Sequence, residues 1–200
     1  MTTPIQIWDL CESCAGAIYG DRMPTPAYAN SVARMLLGTA AQETWFTAHR
    51  QGGPEFWGTV GGFGLWQCEQ GSIGDSLLWL QARPLVAARA TRFLYQDSRA
   101  EKDLTWLKGG VAIANVLWAL RLSDCNRLGV LMARLHYLRV PEAIPESAAG
   151  QAAYWLDHYN CGGVLKTFKT GTPEERREQA ISQYLTNWNR LCLPVIARDE

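Results

Sequence analysis

One long apolar segment that ends near a single glutamate constrains the fold more than any other part of the chain. Residues 27–48 carry small and apolar side chains at helical spacing, and Val32, Leu36 and Ala40 lead down one face to Glu43. The pattern predicts a helix from about residue 27 to residue 48. It also predicts that the Glu43 carboxylate lies on the helix face toward the core.

A carboxyl group in this position is suited to acid catalysis. Partly apolar surroundings raise its pKa, because burial disfavours the charged form. Such a group still carries a proton near neutral pH and can deliver it to a leaving oxygen. The competing interpretation is a glutamate at a helix end that turns out to solvent. Taken alone, Glu43 favours that second interpretation.

Length and charge exclude some classes of partner. A chain of 200 residues with 48% hydrophobic residues suits one domain with a sizeable core. Acidic and basic residues number 19 each, so no basic field exists to bind phosphates, and we do not expect a nucleic acid partner. No stretch is long and apolar enough to predict a membrane span.

The chain contains six cysteines but no pattern typical of export or metal binding. Residues 1–10 have neither a basic start nor an apolar run, so we expect no signal peptide and reduced thiols without disulfides. Cys11 and Cys14 form a single CxxC, with no second CxxC and no histidine pair at ligand spacing. We therefore expect no metal and no cofactor.

The first half of the chain predicts helices around one irregular segment. A short helix is expected within residues 1–22, and the glycine-rich residues 50–74 are expected to form a loop with a small hairpin near residues 60–63. Asp75 is expected to cap the next helix, which Pro84 interrupts before it continues to about residue 95. Residues 97–103 are expected to be a loop.

The second half predicts only helices, so the expected architecture is mainly α with one small β excursion. Residues 104–122 are the most apolar and predict a buried helix, and Asp124 is expected to cap the next one. The last helix has the clearest signals, since Thr172 suits the N-cap, Pro173 the first turn and Glu175 the capping box. The further expected helices span residues 126–139, 147–159 and 173–191.

Three short stretches stand out for their chemistry. They are QET at residues 42–44, GLWQ at residues 64–67 and YNCG at residues 159–162. In this order they resemble the three motifs of the lysozyme-like superfamily, which includes lytic transglycosylases and goose-type lysozymes. The resemblance covers about residues 27–165 and implies that residues 1–200 form a single lysozyme-like domain.

The resemblance implies a role for each matching residue. Glu43 matches the catalytic acid, followed by Thr44 where serine is usual. Trp66 stands in place of the usual methionine of the second motif. The positions that the resemblance assigns to saccharide binding are Thr44, Trp66, Gln67, Tyr159 and Asn160.

The runs GTAAQET, GLWQ and YWLDHYN look most like lysozyme-like proteins encoded by tailed bacteriophages. Two features depart from the superfamily pattern. The third motif lies further from the second, with an extra apolar helix between them, and it lacks the proline that often follows. Both departures are compatible with a member that kept the fold and lost the activity.

Two functions therefore follow from the resemblance. One is cleavage of peptidoglycan glycan strands, as a lytic transglycosylase or a muramidase, with Glu43 as the only convincing acid and 1,6-anhydro ends as the expected product. Glu55, Glu69 and Asp75 are the candidates for a second carboxylate, although each is better explained as a solvated loop charge. The alternative is a non-catalytic phage virion protein of the tail or capsid, which binds other virion proteins. Either function implies synthesis in a host bacterial cytoplasm, followed by a place in the virion or the cell wall.

Overall fold

The computed structural model describes residues 2–20, 23–47, 62–96, 122, 125–161 and 163–198. It is mainly helical with one small two-stranded antiparallel sheet, which confirms the expected fold class. The α-helices are α1 (Pro4–Ala17), α2 (Pro26–Thr44), α3 (Gln70–Gln81), α4 (Pro84–Tyr95), α5 (Asn126–Leu138), α6 (Ala148–His158), α7 (Pro173–Asn187) and α8 (Leu193–Ile196). The strands are β1 (Gly62–Phe63) and β2 (Cys68–Glu69), and a 3₁₀ turn spans Gly163–Lys166.

Helix α2 forms the centre of the molecule and is the predicted glutamate helix. The Thr25 side chain accepts a hydrogen bond from the backbone N–H of Tyr28, and Pro26 occupies the first turn. The helix ends at Thr44, four residues earlier than expected, because Trp45 adopts a left-handed conformation with φ of 52°. The predicted apolar face is fully buried at Val32, Leu36 and Ala40.

The segment after residue 61 differs from the expected loop. β1 pairs with β2 so that Gly62 faces Glu69, and α3 begins at once with Glu69 as its N-cap. Asp75 therefore lies inside α3 rather than at its start, and its carboxylate pairs with Arg139 at 3.0 Å. The prediction of Asp75 as a cap was wrong because the glycines of this segment are compatible with a helix that is held by tertiary packing.

The second half follows the predicted order of helices with small shifts at their ends. α5 has Cys125 rather than Asp124 as its N-cap. α6 has Ser147, the first residue of the expected helix, as its N-cap, and α7 has the expected capping box of Thr172 and Glu175. The helical path then continues through a π turn at Trp188–Cys192 into α8.

Some expectations fall outside the described residues. They concern the loop at residues 97–103, the first two residues of the hairpin expected near residues 60–63, and the buried helix at residues 104–122, of which Leu122 alone is described. Leu122 is helical and fully buried.

The core is one cluster of buried residues around α2. α2 packs against α1, α5, α6, α7 and the π turn, so the helix that carries Glu43 contacts elements from both ends of the chain. None of the described helices combines the length and apolar character needed to cross a membrane.

Candidate active site

The end of α2 is joined to the 64–67 turn by two hydrogen bonds that cross more than twenty residues of sequence. The Thr44 hydroxyl donates to the Leu65 carbonyl at 3.0 Å, and the indole N–H of Trp66 donates to the Leu36 carbonyl at 2.8 Å. These bonds join the first two sequence motifs into a single unit. This unit fixes the position of Glu43 relative to the turn.

The third motif contacts the same turn through Tyr159. Its hydroxyl donates to the Trp66 carbonyl at 2.7 Å and lies 3.4 Å from the Cys68 sulfur. The tyrosine thus supports the turn, and its hydroxyl is hydrogen-bonded to the Trp66 carbonyl rather than to Glu43. Burial raises the pKa of the Tyr159 hydroxyl well above its ordinary value, so the hydroxyl stays protonated as a donor.

A cavity of about 460 Å³ opens where the three motifs meet. Most of its lining residues carry polar side chains, which suits a hydrophilic ligand. The lining consists of Glu43, Gln67, Cys68, Glu69, Ser72, His136, Tyr159, Asn160, Cys161, Gly163, Val164 and Thr167. Four of the six residues that the sequence assigned to the site therefore share one cavity, namely Glu43, Gln67, Tyr159 and Asn160.

Glu43 has an environment suited to proton transfer. Burial raises the pKa of its carboxyl from 4.5 to about 7, and the nearby Glu69 carboxylate adds to the rise. Hydrogen bonds from the side chains of Trp155 and Asn160 oppose the rise, because they stabilise the charged form. The indole N–H of Trp155 lies 2.9 Å from Oε1 of Glu43. The carboxyl is thus held in a fixed orientation while it exchanges a proton near neutral pH.

Gln67 lines the cavity and carries a buried side-chain acceptor. Its side-chain amide donates to the Gly64 carbonyl at 2.8 Å, which fixes the orientation of the amide. Oε1 is buried and has no hydrogen-bond partner among the described residues, and the residue as a whole is only 6% exposed. A buried acceptor without a partner costs free energy. The backbone of Gln67 has a φ of 47°, a strained conformation of the kind that clusters at functional sites.

Asn160 uses both ends of its side chain. Its Oδ1 accepts a hydrogen bond from the backbone N–H of Val164 at 2.6 Å, which ties it to the 3₁₀ turn. The amide nitrogen is then directed toward the Glu43 carboxyl. Asn160 thus combines a loop-stabilising role with a direct electrostatic effect on the acid.

Two residues expected to bind ligand do not reach the cavity. The Trp66 side chain is 0% exposed, with its ring packed in the core. Thr44 is also buried, and its hydroxyl is bonded to the carbonyls of Ala40 and Leu65. The structure therefore corrects the assignment of both residues to substrate binding, because their polar atoms are already used inside the protein.

The three candidates for a second carboxylate have different positions. Glu69 lines the cavity and acts electrostatically on Glu43. Asp75 is paired with Arg139 and is not among the lining residues. Glu55 lies outside the described residues.

The sequence did not indicate Trp155, which hydrogen-bonds Glu43, or Ser72 and His136, which line the cavity. Trp155 belongs to the YWLDHYN run, so its position one turn before Tyr159 on α6 was a signal of its proximity. Ser72 and His136 had no such signal, because they meet only through the packing of α3 on α5.

The cysteines occur as free thiols at all six positions. Cys68 and Cys161 both line the cavity, the first buried and the second exposed. Burial raises the pKa of the Cys68 thiol to about 12, so the group remains a neutral thiol. Among the described residues, no group of three or more histidine, cysteine, aspartate or glutamate side chains is arranged to hold a metal ion.

Comparisons with known proteins found no family model, no curated protein and no solved structure that matches this chain.

Proposed function

We propose that the protein cleaves the glycan strands of bacterial peptidoglycan, with Glu43 as general acid and base. The observation that carries the proposal is the Glu43 carboxyl, whose pKa is raised to about 7 in a polar cavity. A glycosidic bond breaks when a proton reaches the bridging oxygen and an oxocarbenium-like centre is stabilised. A protonated carboxyl held by Trp155 at 2.9 Å fits the first of these tasks.

The polar groups around Glu43 support a sugar as the ligand. The Glu43 carboxyl and the Gln67 and Asn160 side-chain amides line the same cavity. Sugar hydroxyls and acetamido groups supply both donors and acceptors at close spacing, so they can pair with polar groups of this kind.

The product depends on whether a second carboxylate takes part. With Glu43 alone, the substrate's own 6-hydroxyl attacks and the product has a 1,6-anhydro end, as the resemblance implies. Glu69 is the described carboxylate that shares the cavity with Glu43. If Glu69 activates a water molecule, the product has a reducing end.

The test compares the wild type with Glu43→Gln on purified peptidoglycan, using a zymogram and mass spectrometry of the fragments. We expect the wild type to release muropeptides and Glu43→Gln to lose on the order of a hundredfold or more in rate. The matched control is Glu146→Gln, which removes an exposed carboxylate away from the cavity lining and should cleave normally.

Each result decides between the candidate functions. Equal cleavage by wild type and Glu43→Gln would show that Glu43 is not the acid. Absence of cleavage by the wild type would contradict the proposal and favour the alternative, a virion scaffold of the tail or capsid. The balanced charge of 19 acidic and 19 basic residues favours that alternative, because a basic surface would assist binding to an anionic wall.

A further inference from the structure

A serine and a histidine that the proposed glycan cleavage does not use lie on the same cavity wall. Ser72 is in the first turn of α3, and its hydroxyl oxygen is 2.7 Å from Nδ1 of His136 on α5. Both side chains are half-buried and both line the cavity that contains Glu43. They are separated by 64 positions in sequence, so only the packing of the two helices brings them together.

The hydrogen bonds of His136 determine which nitrogen carries the proton. Nε2 lies 2.6 Å from the backbone carbonyl of His158, and a carbonyl only accepts, so Nε2 must be the donor. In the neutral ring, Nδ1 is then an acceptor that faces the Ser72 hydroxyl. The serine O–H therefore points at a basic nitrogen, and a third group orients that base. This is the general arrangement of an activated nucleophile.

The ring stays neutral at ordinary pH. Burial lowers the pKa of His136, and Arg139 and His158 lower it further, while the His158 carbonyl and Asp75 act in the opposite direction. The aromatic ring of Tyr159 packs edge-on against the imidazole with centroids 4.9 Å apart. His136 is consequently available as a proton acceptor rather than already charged.

The backbone next to Ser72 is suited to an anionic intermediate. Ser72 is the third residue of α3, and no side chain in the described part of the protein caps the start of that helix. The N–H groups of a first helical turn carry partial positive charge and have no partner within the helix. Donors of this kind stabilise the oxyanion formed in acyl transfer. The first turn of α3 supports the site, but the pair of Ser72 and His136 defines it.

We propose that Ser72 and His136 form a nucleophile and base that hydrolyse a short acyl ester on a hydroxyl group of the ligand in the cavity. Ester cleavage by Ser72 and His136 does not depend on the proposed function. The identification of the ester as one carried by a saccharide does rest on the proposed function.

The reaction balances with water as the second reactant. The Ser72 hydroxyl transfers its proton to Nδ1 of His136 while Oγ bonds to the acyl carbon, and the carbonyl oxygen becomes an oxyanion. The carbon–oxygen bond to the sugar then breaks, the sugar oxygen takes the proton from Nδ1, and the acyl group remains on Ser72. Water attacks this ester, gives a proton to Nδ1 and releases the carboxylic acid, and Ser72 regains its proton. The net change is ester plus water to alcohol plus acid.

The first test uses a fluorophosphonate probe, which bonds to activated serines, and p-nitrophenyl acetate. We expect the probe to label Ser72 in the intact protein, as located by peptide mass spectrometry. We expect Ser72→Ala and His136→Gln to lose on the order of a hundredfold in ester hydrolysis. The matched control is Ser76→Ala, one turn later on α3, where the serine is buried and bonded to Arg139.

The second test uses a 6-O-acetylated N-acetylglucosamine oligosaccharide, with acetate release as the measurement. Ser72→Ala should lose acetate release, whereas Glu146→Gln, whose exposed carboxylate lies away from the cavity lining, should release acetate at the wild-type rate. Acetate release is measured without cleavage of the glycan strand, so failure of one activity is distinguishable from failure of the other. Absence of labelling at Ser72, or hydrolysis by Ser72→Ala at the wild-type rate with its thermal midpoint unchanged, would overturn the proposal. Hydrolysis of p-nitrophenyl acetate without acetate release from the oligosaccharide would overturn the saccharide assignment alone.

Discussion

The indole N–H of Trp155 donates a hydrogen bond to Oε1 of Glu43 over 2.9 Å, from a residue 112 positions later in the chain. This bond holds the carboxyl in one orientation and favours its charged form. It opposes the effect of burial, which raises the pKa of the same group. The proton affinity of Glu43 therefore depends on a residue of α6 and not on its own helix alone.

Replacing Trp155 with phenylalanine should raise the pKa of Glu43. The aromatic ring is largely kept but the N–H donor is lost, and one hydrogen bond of about 1 kcal/mol corresponds to roughly one pKa unit. Carbon-13 NMR titration of the Glu43 carboxyl measures this directly. The basic limb of any cleavage profile should move to higher pH by the same amount. Trp79→Phe on α3 is the control, and an unchanged Glu43 titration in Trp155→Phe would contradict the assigned role of the bond.

The raised pKa of Glu43 should make the protein less stable as pH rises. The native carboxyl titrates near 7 and the unfolded one near 4.5, so between these values the native state binds more protons and the free energy of unfolding falls. Glu43→Gln lacks this titration. The free energy of unfolding of Glu43→Gln should rise relative to that of the wild type between pH 4.5 and 7, by about 3 kcal/mol in total, and the difference should then stay level. Urea unfolding across this range measures the difference, and a constant difference would show that the pKa is not raised.

Replacing each of two helical glycines with alanine should change the free energy of unfolding in opposite directions. At Gly129 on α5, a Cβ would approach the buried Trp66 ring to 2.9 Å, whereas at Gly74 on α3 nothing lies within 4 Å. Gly129→Ala should lower the free energy of unfolding by about 1–3 kcal/mol through overpacking. Gly74→Ala should raise it by about 0.5–1 kcal/mol through helix propensity. Denaturant titration measures both, and equal effects would show that the ring of Trp66 has room to move.

Two buried tyrosines offer a second matched pair. The Tyr184 hydroxyl has no hydrogen-bond partner among the described residues, while the Tyr137 hydroxyl lies 2.7 Å from that of Thr39. Tyr184→Phe should stabilise the protein by about 0.5–2 kcal/mol because a buried unsatisfied group is removed. Tyr137→Phe should destabilise it by about 1 kcal/mol. Thermal midpoints give the sign of each effect, and a destabilised Tyr184→Phe would reveal a partner for that hydroxyl.

The sequence predicted those helices whose signals are local. The capping box of α7 needs only Thr172, Pro173 and Glu175, and all three have the expected positions. The start of α3 was missed because Gly71 and Gly74 resemble loop residues. Its stability comes instead from tertiary burial of the side chains Ile73, Leu77 and Leu80.

The site was predicted in part for the same physical reason. The order of the motifs was enough to predict that Glu43, Gln67 and Asn160 share one cavity. The direction of each side chain could not be predicted from the sequence, because it depends on contacts between distant elements. Trp66 faces the core and Trp155 faces the acid, and nothing in the local sequence distinguishes one tryptophan from the other.

The docking of the late helices on α2 has a consequence for how the site is made. Gly38 faces the ring of Tyr184, and Asn187 donates a hydrogen bond to the Gln42 side chain at 2.6 Å, one residue before Glu43. Every described residue that lines the cavity precedes α7 along the chain. α7 and the π turn therefore secure the helix that carries Glu43 without contributing a group to the cavity. A chain cut before residue 173 would keep every described lining residue and lose these contacts with α2.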